Sequence, residues 1–189
     1  MCGRYVNFSA EESREMEQIL REISKRYPDR QPKTGEIYPS DLAPVLIARD
    51  GGVAPDMLTW GFPGFDKGKL IINARSETVQ EKRMFREGFI SRRCVIPSAG
   101  FYEWNREKQK FLFQKPGGGM LYMAGIYEKF QGSGRYVILT AQANASVLGV
   151  HHRMPVILEE NALQAWTTDQ QAAANILQGQ MPLLERQAV

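Results

Sequence analysis

The sequence has few cysteines, few histidines and no long apolar run. Two cysteines, Cys2 and Cys94, are too few for a disulfide framework, which favours a reduced, cytoplasmic setting. The two histidines, His151 and His152, are adjacent, so no zinc-ligand spacing exists and we expect neither a metal nor another cofactor. No apolar run approaches the roughly 18 residues of a membrane span, and no basic stretch followed by an apolar one is present near the start. We therefore expect no membrane association and no export.

Length and composition favour one globular domain. The chain has 189 residues, of which 43% are hydrophobic, and this suits one domain of about 150 to 200 residues with a sizeable core. No repeat, linker or low-complexity tract marks a boundary. We predict a single domain over residues 1–189 with a loosely packed tail from about residue 179. The sequence has no heptad seam and no plainly exposed apolar helix, so it carries no signal of oligomeric state, and we take a monomer as the expectation.

Charge is unevenly distributed along the chain. Residues 1–66 hold 8 Lys and Arg against 11 Asp and Glu, residues 67–115 hold 12 against 5, and residues 116–189 hold 4 against 5. The middle segment thus carries +7, and aromatic residues are interleaved with its basic ones. Such a segment suits a groove for phosphates and stacked bases, but a solvated basic surface has the same charge pattern. Charge alone leaves both interpretations open.

The pattern of apolar residues predicts a helix followed by many short strands. Ser9 and Glu12 form a capping-box pattern, and apolar residues then recur at helical spacing, which predicts an amphipathic helix over 10–26. β-like runs follow at 45–48, 57–60, 70–73, 94–96, 110–113, 120–127 and 135–141, and helical patterns return at 77–86, 160–166 and 170–177. Regular turns favour antiparallel hairpins. The predicted fold class is α+β, with a curled antiparallel β core that resembles an open barrel and is flanked by helices.

Cys2 becomes chemically unusual if Met1 is removed, because it then carries both a free α-amine and a thiol. With ordinary pKa values of about 7.7–8.0 and 8.5, both groups are partly deprotonated at neutral pH. The amine can form an imine with an aldehyde, and the thiol can add to the same carbon, which closes a five-membered thiazolidine. The alternative is an incidental residue near a frayed terminus.

Two further segments carry acid–base candidates. Glu103 lies between Tyr102 and Trp104, whose rings could desolvate its carboxyl group and raise its pKa for proton transfer. A surface glutamate with ordinary titration is the alternative. In an extended segment, His151 and Arg153 share a face, which would place a proton carrier beside a phosphate-binding cation. A packed or solvated histidine is the simpler interpretation.

Asn73 and Arg75 end an apolar run and would also share a face of a strand. An amide there could orient a reacting group, and a guanidinium could bind phosphate. The alternative is an ordinary strand-ending turn. Arg83 adds a cation nearby in sequence, although a helix would expose it in any case.

Six short motifs together resemble those of a known family. They are Met1-Cys2-Gly3-Arg4, Trp60-Gly61-Phe62, Ile72-Asn73-Ala74-Arg75-Ser76-Glu77-Thr78, Arg83-Met84-Phe85, Gly100-Phe101-Tyr102-Glu103-Trp104 and His151-His152-Arg153-Met154-Pro155. In order and spacing they resemble the SRAP family, the SOS-response-associated peptidase proteins, also described as abasic-site processing proteins. The resemblance runs from Cys2 to about Trp166, nearly the whole chain.

This resemblance implies a single SRAP domain that binds single-stranded DNA and captures the ring-opened aldehyde of an abasic site. It implies Cys2 as the nucleophile, which forms a thiazolidine DNA–protein crosslink after Met1 is removed, by the protein itself or by an aminopeptidase. Asn73 would orient the cysteine and the sugar, and Glu103 would shuttle protons. His151 would act on the sugar oxygen as acid or base during ring opening and crosslink reversal. The expected location is the cytoplasm, on the nucleoid when the protein is bound to DNA.

The resemblance also implies a set of DNA-binding residues. The cations expected to hold phosphates are Arg4, Arg75, Arg83 and Arg153. Phe65 would be the wedge that unstacks the strand, with Trp104 nearby. The sequence departs from the family at two places: Phe65 stands where family members carry tryptophans, and Glu36 lies in a segment where they often have Asn-x-Ala-Pro. We leave Glu36 outside the predicted site.

Two other functions fit parts of the same pattern. An N-terminal-nucleophile hydrolase would use the Cys2 thiol to attack an amide, with its own α-amine as base. A non-catalytic single-stranded DNA-binding module would use only the basic middle segment and its aromatic residues.

Overall fold

A computed structural model describes residues 2–66 and 68–189, and within them the chain forms 15 strands and five α-helices. The strands are β1 (Tyr5–Asn7), β2 (Gly35–Ile37), β3 (Leu42–Arg49), β4 (Gly52–Trp60), β5 (Phe62–Pro63), β6 (Leu70–Ile71), β7 (Asn73–Arg75), β8 (Arg93–Ser98), β9 (Gly100–Trp104), β10 (Lys110–Gln114), β11 (Leu121–Phe130), β12 (Ser133–Gln142), β13 (Arg153–Pro155), β14 (Ile157–Leu158) and β15 (Glu185–Ala188). The helices are α1 (Arg14–Arg26), α2 (Arg83–Ser91), α3 (Ala145–Leu148), α4 (Leu163–Thr168) and α5 (Gln170–Gln178).

Five strands form a closed barrel at the centre of the fold. Neighbours around the ring are β12, β4, β3, β8 and β11, and β11 pairs again with β12. All these pairings are antiparallel except β4 with β12, which is parallel. Gly125 in β11 allows the barrel to close tightly, because a Cβ there would lie 2.5 Å from Ile96 Cδ1 and 2.9 Å from Val137 O. The predicted α+β class with a curled, barrel-like core and flanking helices is therefore confirmed.

A second sheet packs against the barrel and carries much of the candidate site. Its strand order is β15-β10-β9-β1-β2, with β9 between β10 and β1. Because successive side chains of a strand point to opposite faces, β9 directs Phe101 and Glu103 inward and Tyr102 and Trp104 outward. The exposed fractions agree at the inner face, with Phe101 at 0% and Glu103 at 3%. Strand β7 lies apart from this sheet and pairs in parallel with β12.

Two clusters of buried side chains hold these layers together. One joins barrel strands to the second sheet and includes Tyr5, Trp60 and Phe101. The other joins the barrel to the helices and includes Ile19 and Trp166. The site therefore rests on strands whose inner faces are fixed by packing.

Three of the four predicted helix starts were wrong by several residues, whereas the helix predicted over 170–177 is α5, which begins at Gln170. Helix α1 begins at Arg14 and not at residue 10, because the Ser13 hydroxyl accepts the N–H of Met16 at 3.3 Å and caps the helix there. The Ser9 N–H does donate to the Glu12 carboxylate at 2.7 Å, but this contact closes a turn. Likewise, the helix predicted from residue 77 begins at Arg83, and the helix predicted from residue 160 begins at Leu163. The two predicted start positions lie in short 3₁₀ turns at 76–78 and 160–162.

The C-terminal residues add an edge strand to the second sheet. Strand β15 pairs antiparallel with β10 from Phe111 opposite Ala188 to Gln114 opposite Glu185, although its four residues are exposed. Among the helices of residues 2–66 and 68–189, none has the length and apolar character that crossing a bilayer requires.

Candidate active site

Cys2 lies at the junction between the second sheet and β7. It is 1% exposed, and its thiol donates a long hydrogen bond to the Arg4 carbonyl, with an Sγ to O distance of 3.7 Å. The Asn73 side-chain amide donates to the Cys2 carbonyl at 2.9 Å. Asn73 Oδ1 is buried and has no hydrogen-bond partner among the described residues. The structure thus brings Cys2 and Asn73 together, as predicted, with an acceptor left over on Asn73.

The surroundings of Cys2 favour the protonated form of its thiol. Burial raises the pKa of the Cys2 thiol strongly, and the nearby negative charge of Glu103 raises it further. A thiol must lose its proton to become a strong nucleophile. Cys2 therefore needs either greater exposure or a proton acceptor next to it before it can react.

Glu103 reaches the same place from β9. It is 3% exposed, and burial raises the pKa of its carboxyl group because the charged form is poorly solvated there. Its Oε1 lies 3.9 Å from Nδ1 of His151. A carboxyl group with a raised pKa can hold a proton closer to neutral pH, which suits proton transfer.

His151 lies in the bend that follows α3, and its ring is set by the backbone of Arg153. The Arg153 N–H donates to Nδ1 at 3.0 Å, and the Arg153 carbonyl oxygen is 3.1 Å from the same nitrogen. The ring can therefore accept at Nδ1 when neutral and donate there when protonated. Burial lowers the pKa of His151, so the neutral form dominates at neutral pH. The ring also stacks on His152, with centroids 4.4 Å apart.

Arg153 is placed differently from the other predicted phosphate-binding cations. It is 6% exposed, and its guanidinium donates to both carboxylate oxygens of Glu77 at 2.5 and 2.8 Å. It also donates to the Thr140 carbonyl. A buried guanidinium with these partners is not presented to a solvent-borne phosphate. The structure thus does not bring the Arg153 guanidinium to the surface, whereas the Arg153 backbone contacts the His151 ring.

Phe65, Arg75 and Arg83 border one open cleft beside Asn73. The cleft measures about 700 Å³, and Phe65 stands 93% exposed at its edge, in the turn between β5 and β6. Arg75 ends β7 and Arg83 begins α2, and both are exposed. An exposed aromatic ring beside two unburied guanidinium groups is what a stacked nucleotide with its phosphates would require.

Arg4 and Trp104 lie on the outer face of the second sheet. The Arg4 guanidinium is 5.2 Å from the Trp104 ring centroid and 4.4 Å from that of Tyr38. Trp104 also lines a second cleft of about 520 Å³ together with His151 and His152. One cleft therefore borders Asn73 and the other borders His151.

Sequence reasoning missed several residues of this region. Glu77 belongs to one of the six motifs, but its ion pair with Arg153 joins segments 76 residues apart. A lone lysine and a lone tyrosine carry no spacing signal, so the sequence does not point to Lys110 or Tyr38. Glu36 stands out in the sequence only as a departure from the family, and the structure places its carboxylate 3.5 Å from Arg4. Within residues 2–66 and 68–189, no group of three or more His, Cys, Asp or Glu side chains is arranged to hold a metal ion.

Comparison with known proteins identifies the family. The family model described as SOS response associated peptidase (SRAP) matches residues 1–188. The chain therefore belongs to the SRAP family.

Individual relatives agree with this assignment. The chain is 33% identical to the abasic site processing protein YoqW of Bacillus subtilis (strain 168), over 94% of this chain and 85% of that protein. It is 28% identical to the abasic site processing protein YedK of Escherichia coli (strain K12), over 88% of this chain and 79% of that protein. A crystal structure of a Bordetella bronchiseptica protein shares the fold, with a TM-score of 0.77, 21% identity and coverage of 100% and 99% of the two chains.

Proposed function

We propose that this protein processes abasic sites in DNA by covalent capture, with Cys2 as the nucleophile once Met1 has been removed. The support comes from four segments distant in sequence: Asn73 contacts Cys2, Glu103 lies close enough to add to the effect of burial on the pKa of the Cys2 thiol, and His151 lies 3.9 Å from Glu103. The names of the relatives supply the substrate, an abasic site. Its ring-opened form is an aldehyde, which is the electrophile that an amine and a thiol on one residue capture together.

The reaction balances with the loss of one water. The Cys2 α-amine adds to the aldehyde carbon, and the resulting carbinolamine loses its hydroxyl as water to give an imine. The thiol then adds to the imine carbon, so a C–S bond forms, the C=N double bond becomes single, and the thiol proton ends on nitrogen. Asn73 would hold the Cys2 carbonyl and accept from the amine, which fixes the orientation of both nucleophiles.

Glu103 and His151 would move the protons of this sequence. Protonated Glu103 can supply a proton to the departing hydroxyl, and its carboxylate can then take the proton of the Cys2 thiol. Neutral His151 would accept or return a proton at the sugar oxygen when the ring opens and when the crosslink reverses. With Met1 attached, the Cys2 nitrogen is an amide and the imine cannot form.

The DNA would be held in the two clefts, one of which borders Asn73 and the other His151. Arg75 and Arg83 would contact phosphates on one side, Phe65 would stack on a base, and Arg4 and Trp104 would contact the strand on the other side. We propose that the strand is single, because stacking on Phe65 needs unpaired bases. We expect a monomer that acts in the cytoplasm, on the nucleoid.

Intact-protein mass spectrometry tests this proposal. The Met1-free protein is incubated with a single-stranded oligonucleotide that carries one abasic site. We expect a new species heavier by the oligonucleotide mass less one water, stable without a reductant. Absence of the adduct with Met1 confirmed absent would overturn the proposal. Turnover of an amide substrate would then favour a hydrolase, and reversible binding alone would favour a binding module.

A further inference from the structure

The outer face of the second sheet carries a compact group of charged and aromatic side chains around Glu36. We call it the Glu36 patch, and its members are Arg4, Glu36, Tyr38, Tyr102, Trp104 and Lys110. Glu36 lies in β2 opposite Val6 of β1, and Lys110 lies in β10 opposite Trp104 of β9. The patch therefore spans four adjacent strands, beside the cleft that Trp104 shares with His151.

The Glu36 carboxylate contacts both cations of the patch. Glu36 Oε1 accepts from Lys110 Nζ at 3.0 Å, and Oε2 lies 3.5 Å from an Arg4 nitrogen. The Tyr38 hydroxyl donates to Oε2 at 2.5 Å. Each cation also lies over an aromatic ring, with Lys110 3.8 Å from the Tyr102 centroid and Arg4 over Tyr38. The arrangement is that of an anion bound between two cations.

Glu36 is negatively charged at neutral pH. The hydrogen bonds from Tyr38 and Lys110 lower the pKa of its carboxyl group. The Glu36 side chain is 34% exposed, and the side chains of Arg4 and Lys110 are 29% and 24% exposed. An anion from solvent can therefore approach the same two cations, but only beside this carboxylate or in its place.

We propose that Glu36 determines the selectivity of the DNA-binding face by taking the position of a phosphate between Arg4 and Lys110. The inference rests on the proposed function, since it concerns how the same face treats DNA. When an intact strand reaches the patch, the Glu36 carboxylate repels its phosphate. The strand therefore makes one phosphate contact fewer than it would make with the two cations in the absence of Glu36. Undamaged DNA is then held weakly and released, so retention depends on covalent capture at a lesion. Glutamine at this position would leave both cations open to a phosphate.

The test measures reversible binding of undamaged DNA. Binding of a fluorescent single-stranded oligonucleotide without any lesion is followed by anisotropy over a series of NaCl concentrations. Every protein in this test carries Cys2→Ala, so covalent capture does not contribute to the measured affinity. We expect Glu36→Gln to bind roughly fivefold more tightly at about 0.1 M NaCl and to steepen the salt slope by about 0.7, which is the contribution of one phosphate contact to a single strand.

Two further variants decide whether the effect is local. Glu22→Gln removes the same charge from the exposed surface of α1, where Glu22 is exposed, and we expect it to leave the affinity unchanged. Adding Lys110→Gln to Glu36→Gln should remove the gain, because one of the two phosphate-binding cations is lost. Circular dichroism confirms that each variant is folded.

The outcomes separate this inference from the proposed function. Unchanged or weaker binding by Glu36→Gln overturns it, and so does an equal gain in Glu22→Gln, which would reflect net charge alone. A gain that survives the loss of Lys110 also overturns it. The mass-spectrometric capture of an abasic site is measured on a different oligonucleotide with Cys2 intact, so either result can fail while the other stands.

Discussion

At the scale of single residues, the proposed chemistry depends on having the amine and the thiol on one carbon framework. We expect Cys2→Ala to lose the stable adduct while keeping its affinity for single-stranded DNA, because the variant retains the α-amine but has no thiol. It should still form an imine that borohydride reduction traps as an amine. Cys94→Ala, which removes the other buried thiol, is the matched control and should crosslink normally. A durable adduct in Cys2→Ala without reduction would exclude the thiazolidine.

The burial of Glu103 links the reaction to the stability of the fold. Its pKa is raised above the usual 4.5 by burial, so the folded state binds more protons than the unfolded state at pH values between the unfolded and the folded pKa. Stability is therefore lost as the pH rises through the interval between the unfolded and the folded pKa. Glu103→Gln is neutral at every pH and escapes this loss.

This sign gives a paired expectation for Glu103→Gln. Urea unfolding at several pH values should show the variant gaining stability relative to the wild type as the pH rises above 4.5. Its crosslinking rate should fall by about 10²-fold or more, as the loss of a proton-transfer group predicts. A variant that crosslinks at the wild-type rate would remove Glu103 from the mechanism, whatever its stability.

At the scale of elements, the β5–β6 hairpin has one conspicuous feature, an exposed aromatic ring. Because Phe65 is 93% exposed, its truncation should not affect folding. We expect Phe65→Ala to weaken binding of single-stranded DNA by about 1–3 kcal/mol, the contribution of one stacked base. Leu183→Ala serves as the control, because it removes an apolar side chain that has no aromatic ring. Leu183 is 63% exposed and lies outside both clefts. Equal affinities of the two variants in an anisotropy titration would exclude stacking on Phe65.

The same scale shows which elements a sequence can predict. The long strands β3, β4, β11 and β12 were predictable because apolar and β-branched residues continue over many positions and glycine turns bound them. The short strands β1 and β2 were not, since three residues show no periodicity and their pairing depends on a partner far along the chain. Helix α1 was recognisable from its apolar spacing, but its start was not, because two serines compete as caps and only Ser13 has its hydroxyl on a helical N–H.

At the scale of the whole molecule, the residue types of the site were predictable and their roles were only partly so. Cys2, Asn73 and Glu103 could be selected because each belongs to a distinctive motif, and they lie together in the fold. The environment of Arg153 could not be predicted, since its burial depends on Glu77 and Thr140 from two other segments. Nor could the position of Glu36 between two cations be deduced. Glu36 in β2 approaches Lys110 in β10 only because of the order in which the strands of the second sheet are arranged.

The distribution of cations over the molecule therefore separates those available to DNA from those used by the fold. Arg75 and Arg83 are exposed, so Arg75→Gln and Arg83→Gln should each reduce the salt slope of single-stranded DNA binding by about 0.7. Both should leave the free energy of unfolding unchanged. Arg153→Gln should do the reverse: it breaks the ion pair with Glu77 and the bond to Thr140, which costs about 2 kcal/mol of stability, and it leaves the slope unaltered. Salt titrations and urea unfolding of the three variants measure both quantities, and a reduced slope in a folded Arg153→Gln protein would show that this guanidinium does reach a phosphate.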